Sequence, residues 1–200
     1  MIRNIIFDFG NVICPWNPRR LFDAYFGDRE KSDWFVNTVC PITWHSRVDK
    51  GEPVAEVVAD RKRMFPEWSK EIDMYFDEWE KMFGPETPGM YEYVKSLKER
   101  GLHVYGLTNW STELFPRTEK DFPCFTLLEG YVISGAEKLL KPDPEIYLRL
   151  IDRYCLKPEE SVFVDDNPAN VEGARKVGMK AVQYVTLEQA MEELEKTISE

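Results

Sequence analysis

Four polar groups stand where an apolar run stops or a helical pattern begins: Asp8, Thr108 with Asn109, Lys141, and the neighbouring pair Asp165 and Asp166. Adjacent carboxylates repel one another unless a cation or a lysine compensates them. Mg²⁺ takes a few hard oxygen ligands and keeps several waters, so Asp8, a backbone carbonyl of the turn after it and one acid of the pair can supply a site for it. With the metal and Lys141 screening charge, the Asp8 carboxylate can attack a phosphate ester that would otherwise repel it. An aspartyl phosphate then divides one hard step into two. The Thr108 hydroxyl and nearby amides would hold the phosphoryl oxygens. Taken singly, each group has a plainer use: Asp8 as a cap, Thr108-Asn109 as a turn, Lys141 as a surface lysine, and the acid pair as a solvated loop capped by Asn167.

These groups can cooperate only if the chain brings them to one edge. The run Ile2 to Phe7 reads as a buried strand ending at Asp8, with a tight turn on Gly10-Asn11. An acid at that place sits where open α/β sheets put their ligands. Leu102 to Leu107 reads as a second strand ending in Thr108-Asn109, with a weaker one around Tyr131 to Ser134. Ser161 to Val164 runs into Asp165-Asp166, and Ala181 to Val185 makes the last strand. Helical patterns lie between them: one opened by Thr87-Pro88 and closed by Arg100-Gly101, one after Pro142 to Pro144, one ending at Gly178, and a last one with Thr186 and Gln189 at capping-box spacing. Strands alternating with helices of this length imply a three-layer, Rossmann-like α/β core on a parallel sheet.

From Pro15 to Gly84 the period changes to that of helices, with Leu21, Phe22, Tyr25 and Phe26 and later Ile72, Tyr75, Phe76, Trp79 and Phe83 at helical spacing. We therefore expect an all-helical insert at 14–84, between core segments 1–13 and 85–200. Its tryptophans, five of the six in the chain, could form an aromatic wall for a substrate or fill the insert's own core, and the need of a small helical unit for large side chains favours the core. Trp44-His45-Ser46-Arg47 is the exception, a polar and aromatic cluster on an expected loop, which makes Trp44, His45 and Arg47 substrate-binding candidates. His103 is expected inside a buried strand.

Two hundred residues that are 43% hydrophobic suffice for one core domain carrying an insertion. A net charge of -10 argues against a nucleic-acid surface, which needs clustered Lys and Arg. Four dispersed cysteines contain no C-x-x-C pair, and Cys14 reads as packing. No apolar run approaches the roughly 18 residues of a membrane span, and no cleavable leader precedes the first strand. The expectation is a cytoplasmic monomer or weak dimer acting on a small phosphorylated metabolite, with no membrane or nucleic-acid partner.

In this order, F-D-F-G-N-V (7 to 12), L-T-N (107 to 109), K-P-D-P-E-I-Y (141 to 147) and F-V-D-D-N-P-A-N-V-E-G-A (163 to 174) resemble the four motifs of the haloacid dehalogenase superfamily. The insert falls where that family carries a helical cap, and W-x4-D-x-G-E at Trp44, Asp49, Gly51 and Glu52 is similar to such caps. Within the family, the motifs look most like small bacterial phosphatases of the alpha-D-glucose-1-phosphate phosphatase type, which act on sugar phosphates. The resemblance implies Asp8 as nucleophile, Thr108-Asn109 as phosphate clamp and Lys141 as charge-neutralising partner. It further implies Asp8, the Gly10 carbonyl and Asp166 as Mg²⁺ ligands, with Asp165 supporting Lys141 or the metal.

One position departs from the pattern. The family's usual phosphatases carry a second aspartate two residues after the nucleophile, as acid for the leaving alcohol and base for water, and here that residue is Gly10. Such help is typically worth about 10²- to 10⁴-fold. Its loss implies a slow enzyme, good leaving groups, or a substitute acid, for which His45 is the candidate. Two alternatives stay open: a metal-free 2-haloacid dehalogenase, against which the acid pair argues, and a non-enzymatic phospho-receiver, against which chain order and the insert argue.

Overall fold

The protein is described here by a computed structural model covering residues 1–199. Five short strands form one sheet: β1 (Asn4–Phe7), β2 (His103–Thr108), β3 (Gly130–Ile133), β4 (Ser161–Asp165) and β5 (Lys180–Gln183). All pair in parallel, in the order β3-β2-β1-β4-β5. Such strands are covered on both faces and therefore read as continuous apolar runs. One face buries Ile5, Phe7, Val104, Val162 and Val164, and the other buries Ile6, Leu107, Val132 and Phe163.

After β1 the chain leaves the sheet through the helices α1 (Arg19–Phe26), α2 (Arg29–Trp34), α3 (Ile42–Asp49), α4 (Val54–Met64) and α5 (Ser69–Asp77). It returns through α6 (Met90–Glu99) to β2, passes α7 (Phe115–Thr118), β3 and α8 (Ser134–Glu137), then takes α9 (Pro144–Tyr154) to β4, α10 (Pro168–Lys176) to β5, and ends in α11 (Leu187–Ser199). Helices α6 and α11 cover the first face with Met90, Val94, Leu97, Leu187, Ala190 and Leu194; α9 and α10 cover the second with Ile146, Tyr147, Leu150 and Ala174. The result is a three-layer α/β core.

Local chemistry sets where the helices begin. Asp28 accepts from the Glu30 and Lys31 N–H groups ahead of α2, Asp143 from Glu145 ahead of α9, and Asn167 from Ala169 ahead of α10. Pro144 and Pro168 occupy first-turn positions, where a missing N–H leaves nothing unpaired. Before α11 the Thr186 Oγ1 accepts from the Gln189 N–H at 3.3 Å, while the Gln189 side chain reaches back to the Val185 N–H at 3.0 Å. The reciprocal bond thus lands one residue earlier than in a strict capping box.

The helical segment between β1 and α6 leaves and rejoins the core through two paired linkers. Trp16 and Phe83 form an antiparallel bridge, the Asn17 N–H donates to the Met82 carbonyl at 2.9 Å, and the Gly84 N–H donates to Pro15 at 2.8 Å. Phe22, Phe35, Val57, Ile72 and Tyr75 are buried within it. His103 differs from expectation. It is the exposed first residue of β2, with Nδ1 2.9 Å from Glu129 Oε2, because the strand starts at the rim of the sheet.

Candidate active site

The strand order reverses around β1, with β2 and β3 on one side and β4 and β5 on the other. The C-terminal end of β1 is therefore a topological switch point, the place where such sheets open a crevice. Asp8 stands there, with its N–H bonded to the Val164 carbonyl at 2.9 Å. Lys141 Nζ, almost fully buried, lies 2.8 Å from Asp8 Oδ1, 2.7 Å from Asp165 Oδ2 and 3.0 Å from the Leu107 carbonyl. Three acceptors use its three N–H donors. Asn109 fixes the lysine's own backbone: the Lys141 N–H donates to Asn109 Oδ1 at 2.8 Å, and Asn109 Nδ2 donates to the Lys141 carbonyl at 3.1 Å.

The two acids of the pair have different surroundings. Asp165 is fully buried and its oxygens are occupied: Oδ1 accepts from the Asn167 N–H at 2.8 Å and Asn170 Nδ2 at 3.0 Å, and Oδ2 from Lys141. It positions the lysine. Asp166 is half-buried and lines the cavity at the sheet edge. Carboxylate oxygens of Asp8, Asp165 and Asp166 all lie within 4.8 Å of one another. With Asp165 saturated, the carboxylates of Asp8 and Asp166 are hard oxygens of the type that Mg²⁺ takes, and Gly10 lines the same cavity.

Charge balance asks for such a cation. Burial pushes the Asp8 carboxyl up to about 7, against the pull of Lys141 and with the help of Asp165. Burial raises Asp166 as well, and Asp165 adds to it. Desolvation would lower Lys141, but Asp165 and Asp8 outweigh it and hold the ammonium charged. Three acids against one lysine leave a deficit that a divalent ion offsets.

Above these tips lies a cavity of about 320 Å³. Its core wall carries Asp8, Gly10, Asn109, Lys141 and Asp166; its opposite wall is made by Ile42, His45, Ser46 and Asp49 of α3 with Trp16, Trp79 and Phe83. The α3 residues follow i, i+3, i+4, i+7 spacing, one face of a helix. This corrects the loop expected around Trp44 to Arg47. Because 44–47 is helical, its members point apart: His45 and Ser46 line the cavity, whereas Trp44 Nε1 donates to the Val57 carbonyl at 3.1 Å and Arg47 pairs with Glu52 and Asp60 on the α4 side. The structure thus places Trp44 and Arg47 away from the site. Thr108 is buried at the tip of β2 and does not line the cavity, while Asn109 does.

Of the two uses open to the insert's tryptophans, the structure shows both. Trp16, Trp79, Phe83 and Trp110 line the cavity, and Trp79 and Trp110 are at the same time buried in the core. The indole N–H groups of Trp16, Trp79 and Trp110, together with His45 Nδ1, are buried without a partner in the protein. Helical spacing alone could not have separated these rings from core residues. Cys14 is buried in the core, and burial drives its thiol well up, which suits packing rather than reactivity.

The chain is 25% identical over 180 residues to sesquiterpene phosphatase astK of Aspergillus oryzae, covering 87% of this chain and 85% of that protein. It is 31% identical over 96 residues to (S)-2-haloacid dehalogenase 4A of Burkholderia cepacia, spanning 42% of its length. It matches 10% of acyl-CoA dehydrogenase family member 10 of Mus musculus. In three dimensions it superposes on the HAD family enzyme BT-2542 of Bacteroides thetaiotaomicron, solved with magnesium and inorganic phosphate, with a TM-score of 0.70 at 20% identity over 94% of this chain and 96% of that one. A model of haloacid dehalogenase-like hydrolases matches residues 2–178. With an aspartate at the switch point and a buried lysine between two strand-tip acids, the chain belongs to the haloacid dehalogenase-like hydrolases.

Proposed function

We infer that this hydrolase is a Mg²⁺-dependent phosphatase of small phosphate monoesters with uncharged leaving groups, sugar phosphates first among them. The observation that carries the reading is the buried chain Asp8-Lys141-Asp165 with Asp166 beside it, at a cavity that Asp8, Gly10, Lys141 and Asp166 line. Mg²⁺ held by Asp8, Asp166 and the Gly10 carbonyl would screen the charge of the carboxylates and the phosphoryl oxygens. Phe9 N–H and Lys141 Nζ both donate to Asp8 Oδ1, at 2.6 and 2.8 Å, and fix the carboxylate. The carboxylate attacks phosphorus, the ester P–O bond breaks, and the leaving alcohol departs into the cavity. Water then cleaves the aspartyl phosphate at phosphorus, releasing inorganic phosphate and restoring Asp8.

The walls support an uncharged leaving group. Asp8, Asp49 and Asp166 are the carboxylates on the cavity and Lys141 is its one Lys or Arg among the described residues, so a second anionic group on the substrate finds no counter-charge. Aromatic faces and N–H donors suit a compact hydroxylated group. Gly10 and the dehalogenase relative favour a 2-haloacid dehalogenase as the second reading. A haloacid carboxylate, however, would enter this same acidic cavity. A phosphate-release screen over sugar, nucleotide, aryl and acyl phosphates, with and without Mg²⁺, should show Mg²⁺-dependent release that Asp8→Asn removes. Halide release from 2-chloropropionate in EDTA, without phosphatase activity, would overturn the reading.

A further inference from the structure

We propose that His45, held by Asp49, is the acid and base that Gly10 does not provide; this rests on the phosphatase reading. Nothing lies within 4 Å of a Cβ built on Gly10, so the position beside the leaving group is open space. The alcohol oxygen still needs a proton as its bond to phosphorus breaks. Lys141 has its donors committed, Asp166 belongs to the cation-holding acids, and the Ser46 hydroxyl donates to the Ile42 carbonyl at 2.7 Å. What remains among the titratable side chains of the cavity wall is His45 with the Asp49 carboxylate beside it.

His45 Nε2 lies 3.4 Å from Asp49 Oδ1, one helical turn along α3, and both residues line the cavity that holds Asp8. The ring is 4% exposed, and its other nitrogen, Nδ1, has no partner in the protein. A buried imidazole with one nitrogen on a carboxylate and the other free is the arrangement that fixes orientation and stabilises the imidazolium. The ring is clamped between neighbours. It stacks on Trp79 at 5.4 Å and 11°, and lies 5.2 Å from Trp16.

The pair also has a fixed place relative to the core. The Ser134 hydroxyl at the end of β3 donates to the Asp49 carbonyl and accepts from the Trp110 N–H. Just beyond, Gly51 adopts φ +95°, and a Cβ there would stand 2.6 Å from the Gly135 carbonyl oxygen. Only glycine allows the end of α3 to dock this closely. The helix bearing His45 is therefore pinned to the sheet edge bearing Asp8.

The steps balance. In the first, Asp8 bonds to phosphorus, the P–O bond to the alcohol breaks, and the His45 imidazolium gives its proton to the departing oxygen. In the second, neutral His45 takes a proton from water as that oxygen bonds to phosphorus and the Asp8–phosphorus bond breaks. Phosphate leaves, and the imidazolium and the Asp8 carboxylate are restored. His45 is the catalytic residue and Asp49 a positioning residue.

The test compares leaving groups. In His45→Gln, kcat/KM for an alkyl phosphate such as glycerol phosphate should fall by about 100-fold or more, while kcat/KM for p-nitrophenyl phosphate, whose leaving group needs no proton, stays within about threefold. Because water attack still lacks its base, kcat on the aryl ester should fall and a burst of nitrophenolate appear. Gly10→Asp in the His45→Gln background should restore the alkyl ester. Asp49→Asn should give the same split at smaller size, which keeps the test available if His45→Gln misfolds. Equal losses on both esters, or none on either, would overturn the relay while leaving an Asp8-dependent phosphatase standing. If wild type shows no phosphate release that depends on Asp8, the phosphatase reading falls and the relay with it.

Discussion

The two walls of the cavity are built on opposite principles. On the core side, Lys141 has three acceptors, Asp165 takes two donors besides it, the Asn167 N–H and Asn170 Nδ2, and Asn109 is tied to the Lys141 backbone at both amide atoms. On the insert side, the indole N–H groups of Trp16 and Trp79 and one imidazole nitrogen of His45 are buried with no partner in the protein. A saturated network is rigid and holds one geometry, whereas unpartnered buried donors cost stability and are satisfied only by something that enters. The first wall defines the reaction. The second leaves room for a choice of substrate.

The comparison is broken most severely at the lysine and the acid it serves. Asp8→Asn should abolish turnover with the fold intact, read by phosphate release and far-UV circular dichroism. Lys141→Met leaves Asp8 and Asp165 buried without their counter-charge, and should cost about 3–5 kcal/mol in denaturant unfolding as well as activity. Asp8→Asn should do the reverse to stability. In the metal-free protein the Asp8 carboxyl is pushed up to about 7, whereas an unfolded aspartate titrates near 3.9. The folded chain then keeps a proton that the unfolded chain has lost, so the Asp8 contribution is present at low pH and is lost as pH rises through about 7. Melting in EDTA across pH 4 to 8 should show this decline in wild type and less of it in Asp8→Asn.

EDTA should stop phosphate release reversibly, because Asp8 and Asp166 are acids that burial disfavours until a cation arrives. Added Mg²⁺ should restore activity and raise the melting temperature, by about 2–4 °C for each kcal/mol of binding at this chain length. A dehalogenase without a metal would be indifferent.

The core wall was the legible one. A β-branched run ending in an acid marks a strand tip whatever surrounds it, and parallel strands bring their tips to one edge, so Asp8, Asn109, Lys141 and Asp166 could be gathered from sequence order. The division of labour inside the acid pair was not legible, since it depends on Asn170 reaching Asp165 from a later turn. The insert wall was legible as helix, with its tryptophans open to either a wall or a core and His45 singled out, but not as a face. Trp44 to Arg47 looked like one functional cluster because four adjacent letters were read as a loop. On α3 those letters are about 100° apart, which sends Trp44 and Arg47 to α4 and keeps His45 with Asp49.

Gly10→Asp sharpens the comparison by giving the core wall a proton donor of its own. No atom lies within 4 Å of the added Cβ and the glycine is not in the left-handed region, so the side chain can be accommodated. Because His45 already performs the transfer, Gly10→Asp alone should change activity on alkyl phosphates by no more than about threefold, whereas in the His45→Gln background it should recover most of the loss. A gain of about tenfold or more in wild type would mean that the insert wall performs little of that transfer.

The smallest effect should come from the other face of α3. Arg47 donates from Nε and Nη2 to Glu52 and from Nη2 to Asp60, and these hydrogen bonds hold both acids ionised. The three side chains are 35–43% exposed, so water screens the pairs and they add little to stability. Arg47→Ala should therefore lower the melting temperature by a few degrees at most and leave kcat/KM within about twofold of wild type on alkyl and aryl esters alike. His45→Gln, two residues away on the same helix, should separate those esters by about 100-fold. A matching separation in Arg47→Ala would mean that both faces of α3 act on the substrate, and the contrast between a catalytic face and a structural one would be lost.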